Sequence, residues 1–190
     1  MELQPYENYF WQGAKIRLRP FRAEDAPNKW REWTDTEARR FLESQTDLPP
    51  VSLAEYTEQM RAGADFRDRS PDRIGFAIET LAGEFVGWIN LFIGEGRHGT
   101  FSFGLSVFRE HQRQGYASEA IRIILRYGFN ELRCHKCNSA CLASNVASAQ
   151  MHRKLGFREE GRRREIFYIA GRYEDELLFG MLKEEYDALA

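Results

Sequence analysis

Two hydrophobic periods meet in the middle of this chain, and their junction limits what it can fold into. From Thr100 to Phe108 the pattern is strict alternation: Phe101, Phe103, Leu105 and Val107 share one face, Ser102, Gly104 and Ser106 the other. That is the period of a strand. After that strand the period changes, and Ala117, Ala120, Ile121, Ile124, Leu125 and Gly128 fall on one stripe of a helix ending near Phe129. A short apolar run, Cys137–Leu142, follows. A strand reached through a crossover helix pairs in parallel with the strand before it, by a right-handed crossover.

The flanking segments complete a mixed sheet. Lys15–Arg19 alternates basic and apolar residues before Pro20 stops it. Ala23–Trp33 and Ser52–Met60 read as helices, the second with a Ser52/Glu55 capping box. Ile74–Thr80 and Glu84–Phe92 are strands joined as a hairpin at Leu81-Ala82-Gly83. Val146–Leu155 is a helix stopped by Gly156, and Phe157–Ile169 and Tyr173–Leu182 are strands joined at Ala170-Gly171. The expected fold is α/β (α+β): one domain over residues 1–190, with a mixed central sheet of about seven strands flanked by about four helices. Pro49-Pro50 separates two helices rather than two domains.

Composition excludes several classes. Of 190 residues 43 % are hydrophobic and 14 % aromatic, too many for a disordered chain. The formal charge of −2 offers nothing to nucleic acid or an anionic membrane surface. No apolar run approaches the ~18–20 residues of a membrane span. Residues 1–11 do not read as a secretory signal. Three cysteines, Cys134, Cys137 and Cys141, suit a reducing compartment and give no disulfide framework. The expected location is cytoplasmic.

Four stretches carry chemical signals. Gly94-Glu95-Gly96-Arg97-His98-Gly99 matches G-x-G-x-x-G, but a strand follows it, so it reads as a hairpin turn and not a dinucleotide loop. Gln112-Arg113-Gln114-Gly115-Tyr116-Ala117-Ser118 opens a helix, where unpaired N–H groups and the dipole favour an anion. Gly115 and Ala117 allow close approach, and Arg109 and Arg113 add charge. A plain strand-to-helix connection with a tight turn at Gly115 accounts for the same residues equally well. Asn145 stands at a helix N-cap, and Ser148 and His152 share a face beyond it, as polar side chains of a surface helix or as a proton-donating pair. Cys134-His135-x-Cys137 has zinc-type donors, yet Cys137 and Cys141 share one face of a short strand and read as buried thiols, with no metal. The mixed-sign run Arg158–Arg164 reads as a solvated strand. Tyr6, Tyr9, Phe10 and Trp11 pack back over the core or into a homodimer contact.

Gln112–Ala117 fits the Q/R-x-x-G-x-G/A signature of the GNAT superfamily of N-acetyltransferases. Asn145-x-x-Ser148 with Leu155-Gly156-Phe157 resembles that family's second signature. Gly161–Glu165 and Gly171–Leu178 resemble the RimJ/RimL-type branch, which acetylates ribosomal-protein N-termini. The resemblance spans about Ile16 to Leu182.

The resemblance implies acetyl-CoA as acetyl donor and a primary amine, a protein N-terminus or a small molecule, as acceptor. It implies that the pyrophosphate lies on the N–H groups of Arg113, Gln114, Gly115, Tyr116, Ala117 and Ser118, beside Gln112. The pantetheine arm would pair with the backbone of Leu105, Ser106, Val107 and Phe108, where the family's parallel strands splay, and with Asn145. Ser148 stands where relatives carry a serine proposed to protonate the thiolate, His152 where many carry a tyrosine. The carboxylate that members often carry in the fourth strand is Ser102 here. The carboxylate that RimL-type relatives use in the sixth strand falls at Phe167 here; Glu165, two residues earlier on the same face, is the carboxylate this region offers, and Glu79 and Asn90 are further polar positions. A non-catalytic acyl-CoA sensor of the same fold is the alternative.

Overall fold

The computed structural model describes residues 8–42, 51–61, 72–94 and 96–189. Seven strands form one sheet in the order β1-β2-β3-β4-β5-β7-β6. β1 (Ile16–Arg19), β2 (Arg73–Thr80), β3 (Phe85–Ile93) and β4 (Thr100–Val107) pair antiparallel in succession. β5 (Lys136–Leu142) runs parallel to β4, as the crossover predicted. It pairs antiparallel with β7 (Arg172–Leu182), and β6 (Arg158–Ile169) forms the edge.

The four expected helices are present as α1 (Ala26–Thr34), α3 (Leu53–Arg61), α4 (Tyr116–Arg126) and α5 (Val146–Lys154). Two short helices escape the sequence pattern: α2 (Thr36–Arg39) and α6 (Lys183–Asp187). Each spans about one turn, too little for a period to show. No helix among the described residues is long and apolar enough to cross a membrane.

The stripe on α4 is buried as expected, with Ala120, Ile121 and Ile124 at 0 % exposure. α4 runs into a π-helical turn, Tyr127–Glu131. There Gly128 lets Phe101 lie against the backbone: a Cβ at Gly128 would stand 2.3 Å from that ring. Cys134, Cys137 and Cys141 are buried thiols, and burial raises the pKa of Cys134 and Cys137. Trp11 packs on Phe76 and Tyr127, each at 4.7 Å between ring centroids, so this end of the chain folds back over the core. Tyr6 and the Pro49-Pro50 pair lie outside the described residues. The described part of the glycine-rich segment makes a 3-10 turn at Gly96–His98 between β3 and β4, and the Gly94 N–H bonds the Thr100 carbonyl.

Candidate active site

The site begins where β4 and β5 part. Only Thr100, Phe101 and Ser102 pair with β5, at Lys136, Cys137 and Asn138. Beyond that the strands diverge, while β4 stays paired with β3 as far as Val107. The Phe108 N–H bonds the Val86 carbonyl at 3.0 Å. Backbone groups alternate sides along a strand, so Ser106 and Phe108 serve β3, and Leu105 and Val107 face the fork. The Gln112 side chain caps the Val107 carbonyl from below, Nε2 to O 3.1 Å. Apart from that carbonyl, the backbone of Leu105 and Val107 on the fork side has no partner strand among the described residues, an edge of the kind an extended chain pairs with.

A helix N-terminus stands at the end of β4. Arg113 and Gly115 are left-handed, with φ of 64° and 88°, and turn the chain into α4. The first intrahelical bond runs from the Glu119 N–H to the Gly115 carbonyl at 3.1 Å, leaving the N–H groups of Tyr116, Ala117 and Ser118 ahead of it. A Cβ at Gly115 would find only Lys15 Nζ, at 3.4 Å. This concave run of donors fits a pyrophosphate.

The cationic partner differs from the sequence expectation. Arg109 is turned away to α2, with Nε 2.9 Å from Asp35 and Nη2 2.9 Å from Glu37. Two carboxylates already engage its guanidinium. Lys15 takes the position, its Nζ donating to the Gln114 carbonyl at 2.9 Å. Ninety-nine residues separate the two, and only the sheet brings them together.

Asn145 is an N-cap, its Oδ1 accepting from the Ser148 N–H at 3.1 Å. That engages one oxygen and leaves the amide NH2 for a ligand. Ser148 and His152 do share a face of α5, but not a solvated one. His152 is 2 % exposed, held between Phe103 and Phe179 at ring separations of 5.9 and 4.8 Å. Its Nδ1 lies 2.8 Å from the Ser148 carbonyl and 3.5 Å from the Ser148 hydroxyl. Nε2 lies 2.8 Å from the hydroxyl of Ser139. A carbonyl can only accept, so Nδ1 carries the proton and Nε2 accepts from Ser139. Burial pushes this imidazole below its ordinary pKa. Both ring nitrogens of His152 are thus engaged, and Ser139 is a neighbour that the sequence did not disclose.

Glu165 is not brought to the fork. The β6–β7 register slips between Arg163 and Phe167, and Glu165 sits in that irregularity at φ 51°. Its N–H bonds Asp175 at 2.7 Å, and β5 and β7 lie between β6 and β4. The slip also breaks the alternation that put Glu165 and Phe167 on one face. Glu79 is consumed elsewhere: it is 1 % exposed and bonded by Arg19 and by Arg17, the latter at 2.6 Å. Desolvation would raise its pKa, but the two guanidinium groups win and lower it.

A cavity of about 560 Å³ opens beside the end of β4, on the face of Ser106. Its walls are α1, α2, Glu84-Phe85 and the segment Ser106–His111. Glu32 of α1 belongs to this wall. Its Oε2 accepts from Trp88 Nε1 at 2.6 Å, whereas buried Oε1 has no hydrogen-bond partner among the described residues. Burial raises its pKa, against the Ser106 hydroxyl, Trp88 and Lys29, which favour the charged form. Trp88 and Ser106 are direct cross-strand partners. Sequence offered no signal for Glu32, the single acidic residue of α1, with Glu24, Asp25, Asp35 and Glu37 close by in the chain. Among the described residues there is no cluster of His, Cys, Asp and Glu able to hold a metal ion.

Comparison with known proteins agrees with this geometry. Residues 15–158 match the family model described as acetyltransferase (GNAT) domain. An uncharacterized N-acetyltransferase of Bacillus subtilis, the SPbeta prophage-derived YokL, is 31 % identical over 94 % of this chain and 96 % of its own. A spermidine N(1)-acetyltransferase of Vibrio cholerae is 30 % identical, over 58 % of this chain and 64 % of its own. The crystal structure of spermidine N-acetyltransferase from Vibrio cholerae with CoA and spermine superposes with a TM-score of 0.75 at 23 % identity, covering 90 % of this chain and 97 % of that one. A forked β4–β5 pair ending in an open helix N-terminus, on a chain with these relatives, has one reading: the protein is an acetyltransferase of the GNAT family.

Proposed function

We propose that the chain moves an acetyl group from acetyl-CoA to a primary amine by direct attack within a ternary complex. The observation that carries this is the fork after Ser102–Asn138 with the N-terminus of α4 at its end. The N–H groups of residues 113–118 hold the pyrophosphate. The edge at Leu105 and Val107, with Asn145, holds the pantetheine and sets the thioester in the fork.

The amine lone pair attacks the thioester carbonyl, forming C–N and placing the carbonyl π electrons on oxygen. The N–H groups of Leu105 and Val107 face that oxyanion. Collapse breaks C–S, and the sulfur leaves with the electron pair. The Ser148 hydroxyl returns a proton to it, with His152 behind, and solvent replaces the serine proton. Positioning of amine against thioester supplies much of the rate.

In the cavity wall Asp35 is paired with Arg109 and Glu110 with Arg31, so the carboxylates left to attract a cationic amine are Glu32 and Glu84. Spermidine, the substrate named for one relative, belongs to that class, and so does the protein N-terminus that the RimJ/RimL-like ending favours. The test is thiol release from acetyl-CoA with spermidine, an N-terminal peptide and a lysine peptide. Amine-dependent release with any of them supports the reading. Acetyl-CoA binding without release from any acceptor supports the sensor instead.

A further inference from the structure

Acetyl transfer leaves one proton without a destination, the one the amine loses as C–N forms. β4 has no carboxylate on its Ser102–Gly104–Ser106 face, Glu79 is locked between two arginines, and Glu165 lies on the edge strand. We infer that Glu32 is the general base, taking the proton of the acceptor amine on Oε1; this rests on the acetyl-transfer reading above.

The placement carries the assignment. Glu32 lines the cavity next to Ser106, whose strand neighbours Leu105 and Val107 turn their backbone to the fork. Oε2 is fixed by the Trp88 indole at 2.6 Å, so the carboxylate cannot swing freely. Among the described residues buried Oε1 has no hydrogen-bond partner, an arrangement that costs stability unless a donor completes it. An ammonium or amine N–H is such a donor. The proton passes from nitrogen to Oε1 and then to solvent through the cavity, so charge and atoms balance. Burial also makes the group more basic than an ordinary carboxylate, which suits a base working near neutral pH. The charges that act on it are Lys29 and Asp35, and Arg31, Glu84, Arg109, Glu110 and His111 line the same cavity.

The experiment is the pH profile of kcat/KM for wild type and Glu32→Gln, with two acceptors: an α-amine near pKa ~7.7–8.0 and a side-chain amine near ~10.4. Glutamine still accepts from Trp88, so the cavity wall is kept, and a melting curve with acetyl-CoA checks folding and donor binding. Expected is a fall of about 100-fold or more in kcat at neutral pH, with KM for acetyl-CoA unchanged. Wild type should show an acid limb whose midpoint is the same for both acceptors, and Glu32→Gln should lack it. Trp88→Phe, which removes a donor favouring the charged carboxylate, should move that limb to higher pH.

A Glu32→Gln enzyme within about threefold of wild type, or a limb that moves with the acceptor, overturns the assignment. Should the variant not fold, the wild-type limb decides alone. Thiol release absent from wild type with every amine overturns the acetyl-transfer reading itself, and Glu32 with it.

Discussion

The hydroxyl of Ser139 donates to Nε2 of His152 across 2.8 Å, tying β5 to α5 one residue past the last β4–β5 pair. Two aromatic rings clamp the same imidazole in parallel.

His152→Ala should therefore lower stability by about 3 kcal/mol, the order seen when a large buried ring is removed. Burial depresses the imidazole pKa below its ordinary 6.5. The unfolded chain then binds the proton more readily, and stability falls as pH drops below about 6.5 toward the folded pKa, by at most ~1.4 kcal/mol per pH unit. Chemical denaturation at pH 5.5 and 8 measures both terms, and the variant should lose the histidine contribution to the slope.

Ser148→Ala separates catalysis from folding. The N-cap of α5 uses the Ser148 backbone N–H, which the substitution keeps. Melting temperature should stay near wild type while kcat falls about tenfold or more. An unchanged kcat removes Ser148 as the proton donor.

Gly115→Glu should abolish donor binding. Space is not the obstacle, since a Cβ would meet only Lys15 Nζ at 3.4 Å. The left-handed φ of 88° strains any side chain, and a carboxylate there repels the pyrophosphate. Acetyl-CoA at ~100 times Kd should add roughly 2.7 kcal/mol of stability to wild type and none to the variant, by thermal shift. A shift of equal size in both proteins would show that phosphate binds elsewhere.

Glu79 is a structural ion. It joins Arg17 and Arg19, and Arg19 is held on its other side by Asp25 at 2.8 Å. Burial raises its pKa, but the arginines lower it below the ordinary 4.5. The unfolded carboxylate takes up a proton first, so this stabilisation is present above pH 4.5 and is lost as pH falls through the folded pKa. Glu79→Gln should cost about 3 kcal/mol at pH 7 and flatten the acid limb of unfolding below pH 4.5. Retention of that limb would assign it to other carboxylates.

Local patterning was enough for the strands and the longer helices, because each depends on neighbours in sequence. Alternation at Phe101–Val107 and the stripe from Ala117 to Gly128 are read without any tertiary partner, whereas the Gln112–Ala117 run gains its donor-binding reading from the family resemblance. The fork could be anticipated only through family resemblance, since divergence of β4 from β5 is a property of two strands. The same limit hid Lys15, which reaches Gln114 across the sheet, and misplaced Arg109, whose carboxylate partners lie on a helix too short to show a period. Glu165 failed because a left-handed residue and a register slip break the period of two on which its face was reckoned. His152 reads as polar surface in one dimension and is core in three, where Phe103, Phe157 and Phe179 converge from three strands' reach of the chain. Glu32 is set apart from other acidic residues only by what surrounds it. Periodicity and capping belong to the sequence, while desolvation, pairing and the meeting of distant side chains belong to the folded molecule, because those energies depend on distances that the chain order does not contain.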